Sequence, residues 1–447
     1  MSVGLQRLRE EPEVIRRGAL DKGEDASLVD IALELDARRR HLLGEADALK
    51  AGRNTVSKRV GEAIRGGAAP DGPEVAALKA ASVAAGERIR ALDAEAADVE
   101  AKLDDVLLRI PNPADPGVPI GDADANVVVR TWGELLPRVV PRAGEVGADA
   151  DPAAGTWERK PHWEIAEALD IIDLERGAKI TGSGFPVYKG AGAALQRALI
   201  DFFLGVHTRE NGFTEIWPPA VVNAASARGT GQIPDKEDQM YVVTRDELYL
   251  VPTAEVPVTN LHRDEIFDAD TLPVRYAAYS PCFRREAGAA GKDTRGILRV
   301  HQFDKVEMVL FERPEASNDA LEWMTGRAED LLRRLGLSYR VLLMATRDMG
   351  FVQAKKYDIE VWAPGVERWL EVSSCSNFRD YQARRMAIRH RPAPGAKPEL
   401  VHTLNGSGLA LARVVAAIIE AYQQADGSVV VPEPLRGTLG TDVIRPR

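Results

Sequence analysis

The chain has 447 residues, of which 45% are hydrophobic and 28% are charged, and its formal net charge is -10. This composition supports a sizeable core and excludes a disordered protein, and the length predicts two or three domains. The negative charge excludes nucleic-acid binding over the whole surface, so any such contact is expected to be local.

Two cysteines, Cys282 and Cys375, are too few for a disulfide framework and form no C-x-x-C zinc pair. No run of about 18 apolar residues occurs, and the N-terminus is charged where a signal peptide needs an apolar segment. We therefore expect a soluble, cytoplasmic protein with no membrane partner. Residues 1–27 predict a short helix and a connector, broken at Pro12 and Gly23.

A coiled-coil pattern begins at residue 28. Apolar residues recur along one seam, most of them at seven-residue spacing: Leu28, Leu35, Leu42, Leu49, Val56, Ala32, Ala46 and Val60. After a breaker at residues 65–73, a second apolar series runs to Ile110. Two such helices predict an antiparallel hairpin about 57 Å long, from about 38 residues at about 1.5 Å each. We predict an N-terminal domain at 1–110, with this arm at about 28–110.

The charge on the arm is uneven. Residues 28–65 hold eight Lys or Arg and six Asp or Glu, whereas residues 73–110 hold five and eight. The first helix is therefore the better candidate to contact a phosphate backbone. Its candidate basic residues are Arg38, Arg40, Lys50, Arg53 and Lys58. A coiled coil that only dimerises or acts as a scaffold would show the same seam, so the arm pattern leaves both functions open.

Residues 111–160 predict a linker, and residues 161–447 predict a larger second domain. The linker is acidic, contains Gly and Pro, and includes a short strand at 127–130. The second domain continues with an amphipathic helix at 193–211 and a strand at 212–219 that ends in Pro-Pro. Thr253-Ala254-Glu255 follows a strand-like run. Its carboxylate could bind an ammonium group and its hydroxyl a second polar group, although an ordinary polar turn would look the same.

The densest group of chemically active side chains lies between Tyr279 and Met308. The sequence F-R-R-E at 283–286 ends one alternating run, a loop at 287–296 follows, and a second run carries Arg299, Phe303, Lys305 and Glu307. This alternation predicts a long β-hairpin. Its arginines could bind phosphates as planar forks, its ring could stack on a base, and its carboxylates could bind an amine.

Two segments near the C-terminus carry further candidates. The sequence E-V-S-S at 371–374 offers a carboxylate and hydroxyls that suit Mg²⁺. The sequence H-T-L-N-G-S-G-L-A-L-A-R at 402–413 predicts a strand, a turn and a helix that carries Arg413.

F-R-x-E followed by R-x-x-x-F resembles motif 2 of the class II aminoacyl-tRNA synthetases, and the surrounding sequence most resembles the bacterial seryl-tRNA synthetases. Residues 212–219 resemble motif 1, with Pro219 as its proline, and residues 402–413 resemble motif 3. The resemblance implies an α+β fold: an N-terminal antiparallel coiled-coil arm plus a catalytic domain built on a mostly antiparallel sheet flanked by helices. It also implies a homodimer.

The resemblance implies a ligase that makes seryl-adenylate from L-serine and ATP, with Mg²⁺ as cofactor. The enzyme would then transfer serine to tRNA(Ser), and also to tRNA(Sec) where that tRNA is present. By the same resemblance, the basic residues of the arm bind the tRNA. Two alternatives stay open: a synthetase-like ligase that loads a carrier protein, which would lack the arm, and an inactive coiled-coil binding protein.

The resemblance also implies roles for individual residues. The catalytic residues would be Arg284 on the α-phosphate, Glu286 on the adenine amino group, and Arg413. The ATP site would consist of Arg284, Arg285, Glu286, Val300, Phe303, Glu371, Val372, Ser373, Ser374 and Arg413. The serine site would consist of Thr253, Ala254, Glu255, Arg284, Glu307 and Ser407. The Mg²⁺ ligands would be Glu371 and Ser374. Lys292, in the motif 2 loop, stands where many relatives have arginine.

Overall fold

The computed structural model describes residues 3–141, 155–288 and 295–446, and Lys292 lies outside them. The chain divides into two compact units, residues 1–113 and 114–447. The first unit is helical: α1 (Leu5–Glu10), α2 (Pro12–Asp21), α3 (Ser27–Arg65) and α4 (Pro73–Leu108). The segment before the arm forms two helices where one was predicted, because Pro12 starts a new helix at a position where its missing N–H is not needed.

Helices α3 and α4 pack along the predicted apolar seam. Their shared cluster of buried residues consists of Leu42, Ala46, Leu92, Ala96 and Val99. The predicted antiparallel helical arm is confirmed. At the base of α3, Asp36 is 1% exposed and accepts two hydrogen bonds from Arg9 of α1, at 2.7 and 3.0 Å. Arg40 donates a third at 3.1 Å. A charge cluster therefore joins α1 to the base of the arm.

The second unit contains all the strands of the described residues. In chain order they are β1 (Val127–Trp132), β2 (Val139–Pro141), β3 (Thr156–Glu158), β4 (Ile172–Asp173), β5 (Val187–Tyr188), β6 (Thr214–Ile216), β7 (Val221–Asn223), β8 (Val242–Val243), β9 (Leu248–Leu250), β10 (Ile266–Phe267), β11 (Val274–Phe283), β12 (Gln302–Glu312), β13 (Tyr339–Leu343), β14 (Lys355–Ala363), β15 (Arg368–Arg379), β16 (Arg389–His390), β17 (Glu399–Leu400), β18 (His402–Ala410), β19 (Val429–Val430) and β20 (Val443–Ile444).

An eight-stranded sheet forms the centre of this unit, in the order β1-β13-β14-β15-β18-β12-β11-β6. Only the β6–β11 pair is parallel, so the predicted, mostly antiparallel sheet is confirmed. The helices of the unit are α5 (His162–Ala168), α6 (Leu174–Ile180), α7 (Ala191–Arg209), α8 (Ala224–Thr230), α9 (Glu255–Thr259), α10 (Ser317–Arg334), α11 (Tyr381–Met386), α12 (Leu411–Ala421) and α13 (Arg436–Leu439). Helices α7, α10 and α12 pack on the sheet and bury one large apolar core.

Two irregularities in the sheet change which side chains share a face. Between β14 and β15, Ile359 pairs with Ser373 and Glu360 pairs with Glu371, so Val372 is an extra residue. Such a bulge shifts the two-residue alternation by one, which lets side chains three positions apart point the same way. A similar irregularity in β18 lies between Ser407, paired with Glu307, and Ala410, paired with Lys305. Within the described residues, no helix combines the length and apolar character needed to span a membrane.

Candidate active site

A cavity of about 390 Å³ opens on the sheet at strands β12, β14, β15 and β18, the turn that follows β11 and the start of α12. Because side chains alternate along β12, Phe303 and Lys305 reach the cavity from the same face of the strand. The bulge in β15 brings both Glu371 and Ser374 to the cavity wall. Sequence positions that are more than 100 residues apart therefore meet in one pocket.

One end of the cavity is cationic. The guanidinium carbon of Arg284 lies 5.2 Å from the centre of the Phe303 ring. Arg413, in the first turn of α12, donates from Nε to the Leu298 carbonyl at 3.0 Å and from Nη1 to the Glu371 carbonyl at 2.8 Å. Two main-chain carbonyls thus fix the plane of the Arg413 guanidinium. The lining of this end also includes Lys356.

Glu371 stays ionised at this end. Desolvation opposes the charge of its carboxylate, but the positive charges of Arg413, Lys356 and Arg284 outweigh it and hold the pKa of Glu371 below its usual value. A carboxylate ion and the Ser374 hydroxyl are hard oxygen ligands. This end of the cavity is therefore suited to anions and, beside them, to a hard cation.

Glu286 has a strained backbone. Its φ of 49° lies in the left-handed region, which residues other than glycine seldom adopt. Its carboxylate accepts a hydrogen bond from Arg299 Nε at 2.5 Å. Since both side chains line the cavity, the turn that ends β11 directs a carboxylate toward the pocket.

The other end of the cavity is a buried polar network. Glu307 is fully buried and forms an ion pair with Lys305. It accepts hydrogen bonds from Thr253 Oγ1 at 3.1 Å and Asn405 Nδ2 at 2.6 Å. Lys305 Nζ also donates to Thr253 Oγ1, at 2.9 Å. A buried carboxylate is tolerated here because each of its oxygens has a donor.

Glu255 lies beside this network. Its Oε1 accepts from Gln382 Nε2 at 2.7 Å, and its Oε2 accepts from Asn405 Nδ2 at 3.3 Å. Burial, followed by repulsion from Glu307, raises the pKa of Glu255 to about 7. The site thus holds one carboxylate that titrates near neutral pH beside one neutralised by Lys305. A cationic ligand group would restore the charge on Glu255.

The structure brings most of the predicted site residues together. All the predicted ATP-site residues line the cavity except Arg285, whose Nη1 donates to the Asp238 carbonyl at 2.9 Å. Of the predicted serine-site residues, Ala254 and Glu307 are absent from the lining. Ala254 packs in a neighbouring apolar cluster, and Glu307 acts on the cavity through Thr253 and Asn405.

Sequence reasoning assigned no role to four polar residues of this region: Lys305, Lys356, Gln382 and Asn405. Lys305 was noted on the second run of the hairpin, and alternation could have placed it in the site, because it lies two positions from both Phe303 and Glu307. Gln382 stands in the run S-N-F-R-D-Y-Q-A-R-R at 376–385, which resembles a run of the family but gave this residue no contact, and no comparable signal marks Lys356 or Asn405. Their contribution depends on register between strands or on packing of α11, which local spacing does not reveal.

Neither cysteine is suited to act as a nucleophile. Cys282 and Cys375 are both buried. Burial raises the pKa of Cys282 above its usual value and that of Cys375 to about 12, so both stay protonated thiols near neutral pH. The cavity therefore relies on charge and positioning.

On the arm, the five predicted basic residues fall into two groups. Arg38 pairs with Glu95, Arg40 with Asp36, and Lys50 with Asp93. In the described part of the chain, Arg53 and Lys58 are exposed and form no ion pair. These two side chains can bind an anionic group of another molecule without first breaking an ion pair.

Comparison with known families divides the chain as its two units do. Residues 4–114 match the family described as seryl-tRNA synthetase N-terminal domain. Residues 241–422 match the tRNA synthetase class II core domain (G, H, P, S and T).

Individual relatives match almost the whole chain. A serine–tRNA ligase of Gemmatimonas aurantiaca is 50% identical over 443 residues, which are 98% of this chain and 99% of the relative. One of Geobacillus kaustophilus is 50% identical over 440 residues, again 98% and 99%. Among solved structures, the seryl-tRNA synthetase of Pyrococcus horikoshii complexed with ATP aligns with a TM-score of 0.90 at 37% identity, covering 100% of both chains.

Proposed function

The chain belongs to the seryl-tRNA synthetase family and catalyses the ligation of serine to tRNA, and from this premise we propose how its residues divide that work. The observation that carries the proposal is one cavity with a cationic end at Arg284 and Arg413 and a carboxylate and hydroxyl end at Thr253 and Glu255. The first end matches a polyphosphate, and the second matches a small amino acid with an ammonium group.

The nucleotide takes the cationic end. Arg284 binds the α-phosphate, and Arg413, held by two carbonyls, presents its guanidinium to the polyphosphate. The adenine stacks on the face of Phe303 that Arg284 leaves free, and Glu286 accepts a hydrogen bond from its amino group. We propose no nucleotide contact for Arg285, because its guanidinium bonds outside the cavity.

Serine takes the polar end. Its ammonium lies against Glu255, whose raised pKa means that binding of a cation draws the proton off. Its hydroxyl meets Thr253 and Ser407, and Glu307 orients Thr253 and Asn405 from behind. This end of the cavity supplies the polar side chains of Thr253, Asn405 and Ser407, which favours serine over apolar amino acids.

The chemistry is an in-line displacement. A serine carboxylate oxygen attacks the α-phosphorus of ATP while the bond to the bridging oxygen of the β-phosphate breaks, which gives seryl-adenylate and pyrophosphate. Arg284 neutralises charge that grows on the α-phosphate in the transition state. In the second step a hydroxyl at the 3′ end of tRNA attacks the seryl carbonyl and AMP leaves. Whether tRNA(Sec) is also a substrate stays a prediction.

Glu371 and Ser374 fit the predicted Mg²⁺ site. Mg²⁺ is commonly bound through one or two carboxylates together with substrate phosphates. Glu371, whose pKa is lowered, supplies the carboxylate, and the Ser374 hydroxyl lines the same cavity. Within the described residues, no group of three or more His, Cys, Asp or Glu could hold a metal by itself. When bound, the ion would neutralise phosphate charge, and the phosphates would complete its ligands.

The arm holds tRNA through local charge. Because Arg53 and Lys58 form no ion pair with any residue that the structure describes, we propose that they contribute more to tRNA affinity than Arg38, Arg40 and Lys50. Charge contacts of this kind weaken steeply with salt.

We also propose a homodimer formed along the motif 1 segment. The segment contains β6, the edge strand of the sheet, and its Trp217 is 77% exposed. A second copy would cover this indole. Light scattering of the purified chain measures the mass directly, and a monomer at micromolar concentration contradicts the proposal.

Serine-dependent exchange of pyrophosphate into ATP tests the activation step, run beside the other nineteen amino acids. We expect serine alone to support rapid exchange. Equal exchange with another amino acid would overturn the assignment of the polar end. Neither earlier alternative is supported, since the arm matches the family's N-terminal domain and Arg284, Glu286 and Arg413 all line the cavity.

A further inference from the structure

A buried pair of titratable residues lies outside the cavity and has no role in the reaction described so far. His162 begins α5 and is 1% exposed, and Glu420 lies near the end of α12 and is 0% exposed. Glu420 Oε1 lies 2.8 Å from His162 Nδ1 and also accepts the His162 backbone N–H at 2.9 Å. Its Oε2 accepts the backbone N–H groups of Gly365 at 2.8 Å and Val366 at 3.1 Å.

These contacts determine which ring nitrogen carries the proton. The Glu420 carboxylate already accepts three backbone N–H groups and acts as an acceptor toward the ring as well, so His162 Nδ1 carries the hydrogen and donates it to Glu420. The other nitrogen, Nε2, then carries a lone pair. It accepts the backbone N–H of Ile297 at 3.3 Å. Glu420 therefore fixes the tautomer in which Nε2 of His162 accepts a hydrogen bond from the main chain. The main chain in question is residues 296–298, which connect the motif 2 loop to β12.

The approach of the ring to this segment is close. Gly296 has a φ of +70°, and a Cβ added to it would lie 2.2 Å from His162 Nε2. Only glycine permits both the backbone conformation and the contact. The ring is thus fitted to the backbone at residues 296–297.

The same segment is tied to the nucleotide end of the cavity. Ile297 and Leu298 line the cavity, and the Leu298 carbonyl accepts Arg413 Nε at 3.0 Å. Arg413 and Glu420 stand seven residues apart on α12, about two helical turns. Residues 297–298 are therefore held against one helix at two points, through His162 at one and through Arg413 at the other.

We propose that His162, oriented by Glu420, is a positioning residue for ATP: it fixes the main chain at residues 296–298, and this main chain fixes the guanidinium of Arg413. The inference rests on the proposed function of the cavity. A role in stability alone does not require this pair, because well-packed apolar residues of similar volume often stabilise a core as well as buried polar partners do.

Two substitutions separate the two hydrogen bonds of the imidazole. In His162→Asn the amide nitrogen can replace Nδ1 and keep the bond to Glu420, while the acceptor for Ile297 is lost. In His162→Gln the longer side chain can place its carbonyl oxygen near the position of Nε2 and keep the acceptor. We expect His162→Asn to raise the KM for ATP in pyrophosphate exchange about five- to tenfold and to leave the KM for serine within about twofold. We expect His162→Gln to restore most of the affinity for ATP.

Trp163→Phe is the matched control. Trp163 packs edge-on to the His162 ring with centroids 5.0 Å apart, so this change disturbs the same neighbourhood and leaves the bond to Ile297 in place. Its KM for ATP should stay within about twofold of the parent. Should His162→Asn not fold, Gly296→Ala provides the same test, because its methyl group pushes against Nε2.

The outcomes are distinct. If the unaltered chain shows no serine-dependent exchange, the proposed function fails. If it is active but His162→Asn changes both KM values equally, or His162→Gln is no better than His162→Asn, the positioning role is wrong and the pair is a core contact only.

Discussion

Arg284 and Arg285 are neighbours in sequence with different surroundings. Arg284 lines the cavity beside Phe303, whereas Arg285 bonds to the Asp238 carbonyl outside the lining. We expect Arg284→Ala to lower kcat/KM for pyrophosphate exchange about 30-fold or more, since a charged contact that strengthens in the transition state contributes about 2 to 4 kcal/mol. Arg285→Ala should change it less than about threefold. Equal losses in the two variants would show that Arg284 has no special part in activation.

The titration of Glu255 predicts a pH dependence for serine. Its pKa is raised to about 7, so it is neutral below that pH and charged above it. Only the charged form attracts an ammonium group. We expect the KM for serine in exchange assays to rise as the pH falls from 8 to 6, while the KM for ATP changes much less. Glu255→Gln should raise the KM for serine at pH 8 and remove this dependence. A parallel rise in both KM values would assign the titration to another group.

Helix α1 is held to the arm helix α3 through one buried carboxylate. The hydrogen bond from Arg9, helped by the charge of Arg9 and Arg40, holds the pKa of Asp36 below its usual value. A carboxylate whose pKa is lower in the folded state stabilises the fold at pH values above its unfolded pKa of about 3.9. This stabilisation is lost as the pH falls through the folded pKa.

We therefore expect Asp36→Asn to reduce the free energy of unfolding of the arm region by about 2 kcal/mol at pH 7, with the difference shrinking progressively as the pH falls below about 3.9. Urea unfolding of the full chain, followed by circular dichroism, measures it. Asp30→Asn is the control, because its ion pair with Arg16 is exposed and should be worth less than about 0.5 kcal/mol. Equal effects of the two changes at pH 7 would contradict the prediction.

Elements with a regular apolar period were predicted closely. The two arm helices were predicted at 28–65 and 73–110 and occur at Ser27–Arg65 and Pro73–Leu108. The return strand of motif 2 was predicted from Ile297 but begins at Gln302. The difference comes from tertiary contacts. The Ile297 N–H donates to His162 and the Leu298 carbonyl accepts from Arg413, so these main-chain groups do not pair with a neighbouring strand.

The candidate site was predictable where a motif is continuous in sequence and unpredictable where it depends on register. Glu371 and Ser374 were identified as a pair, but their shared face depends on a bulge that the sequence does not reveal. Glu307 was predicted to contact serine directly, whereas the structure places Lys305, Thr253 and Asn405 around it. Alternation places a side chain on a face. It does not determine which neighbour covers that side chain.

At the scale of the whole molecule, activation and tRNA binding should be separable. Deleting residues 51–86 and joining the helices with a short glycine-containing turn keeps the Asp36 cluster and the seam from Leu42 to Val99. All cavity residues lie beyond residue 230. We expect pyrophosphate exchange to stay within about threefold of the parent, because the site and its core are untouched, and tRNA charging to fall at least about 100-fold.

Charge substitution checks this in the full-length chain. Arg53→Glu combined with Lys58→Glu should reduce tRNA charging more than Lys50→Glu does. The difference in charging rate between this double variant and the parent should become smaller as the salt concentration rises. Loss of exchange in the deletion would show that the arm tip supports the catalytic unit. Undiminished charging would show that the tip is only structural.

Strand β18 also delays completion of the central sheet until late in synthesis of the chain. It lies between β15 and β12, so it joins two half-sheets, β1-β13-β14-β15 and β12-β11-β6, although it is made after all of them. Until residue 410 has emerged from the ribosome, the nascent chain carries two open inner edges, which are templates for wrong pairing. A chain ending at residue 401 should therefore aggregate and bind no ATP, and its recovery in soluble form with nucleotide affinity would contradict this order. A partly translated chain consequently cannot consume serine or ATP, because the strand that carries Asn405 and Ser407 closes the sheet and completes the catalyst in the same event.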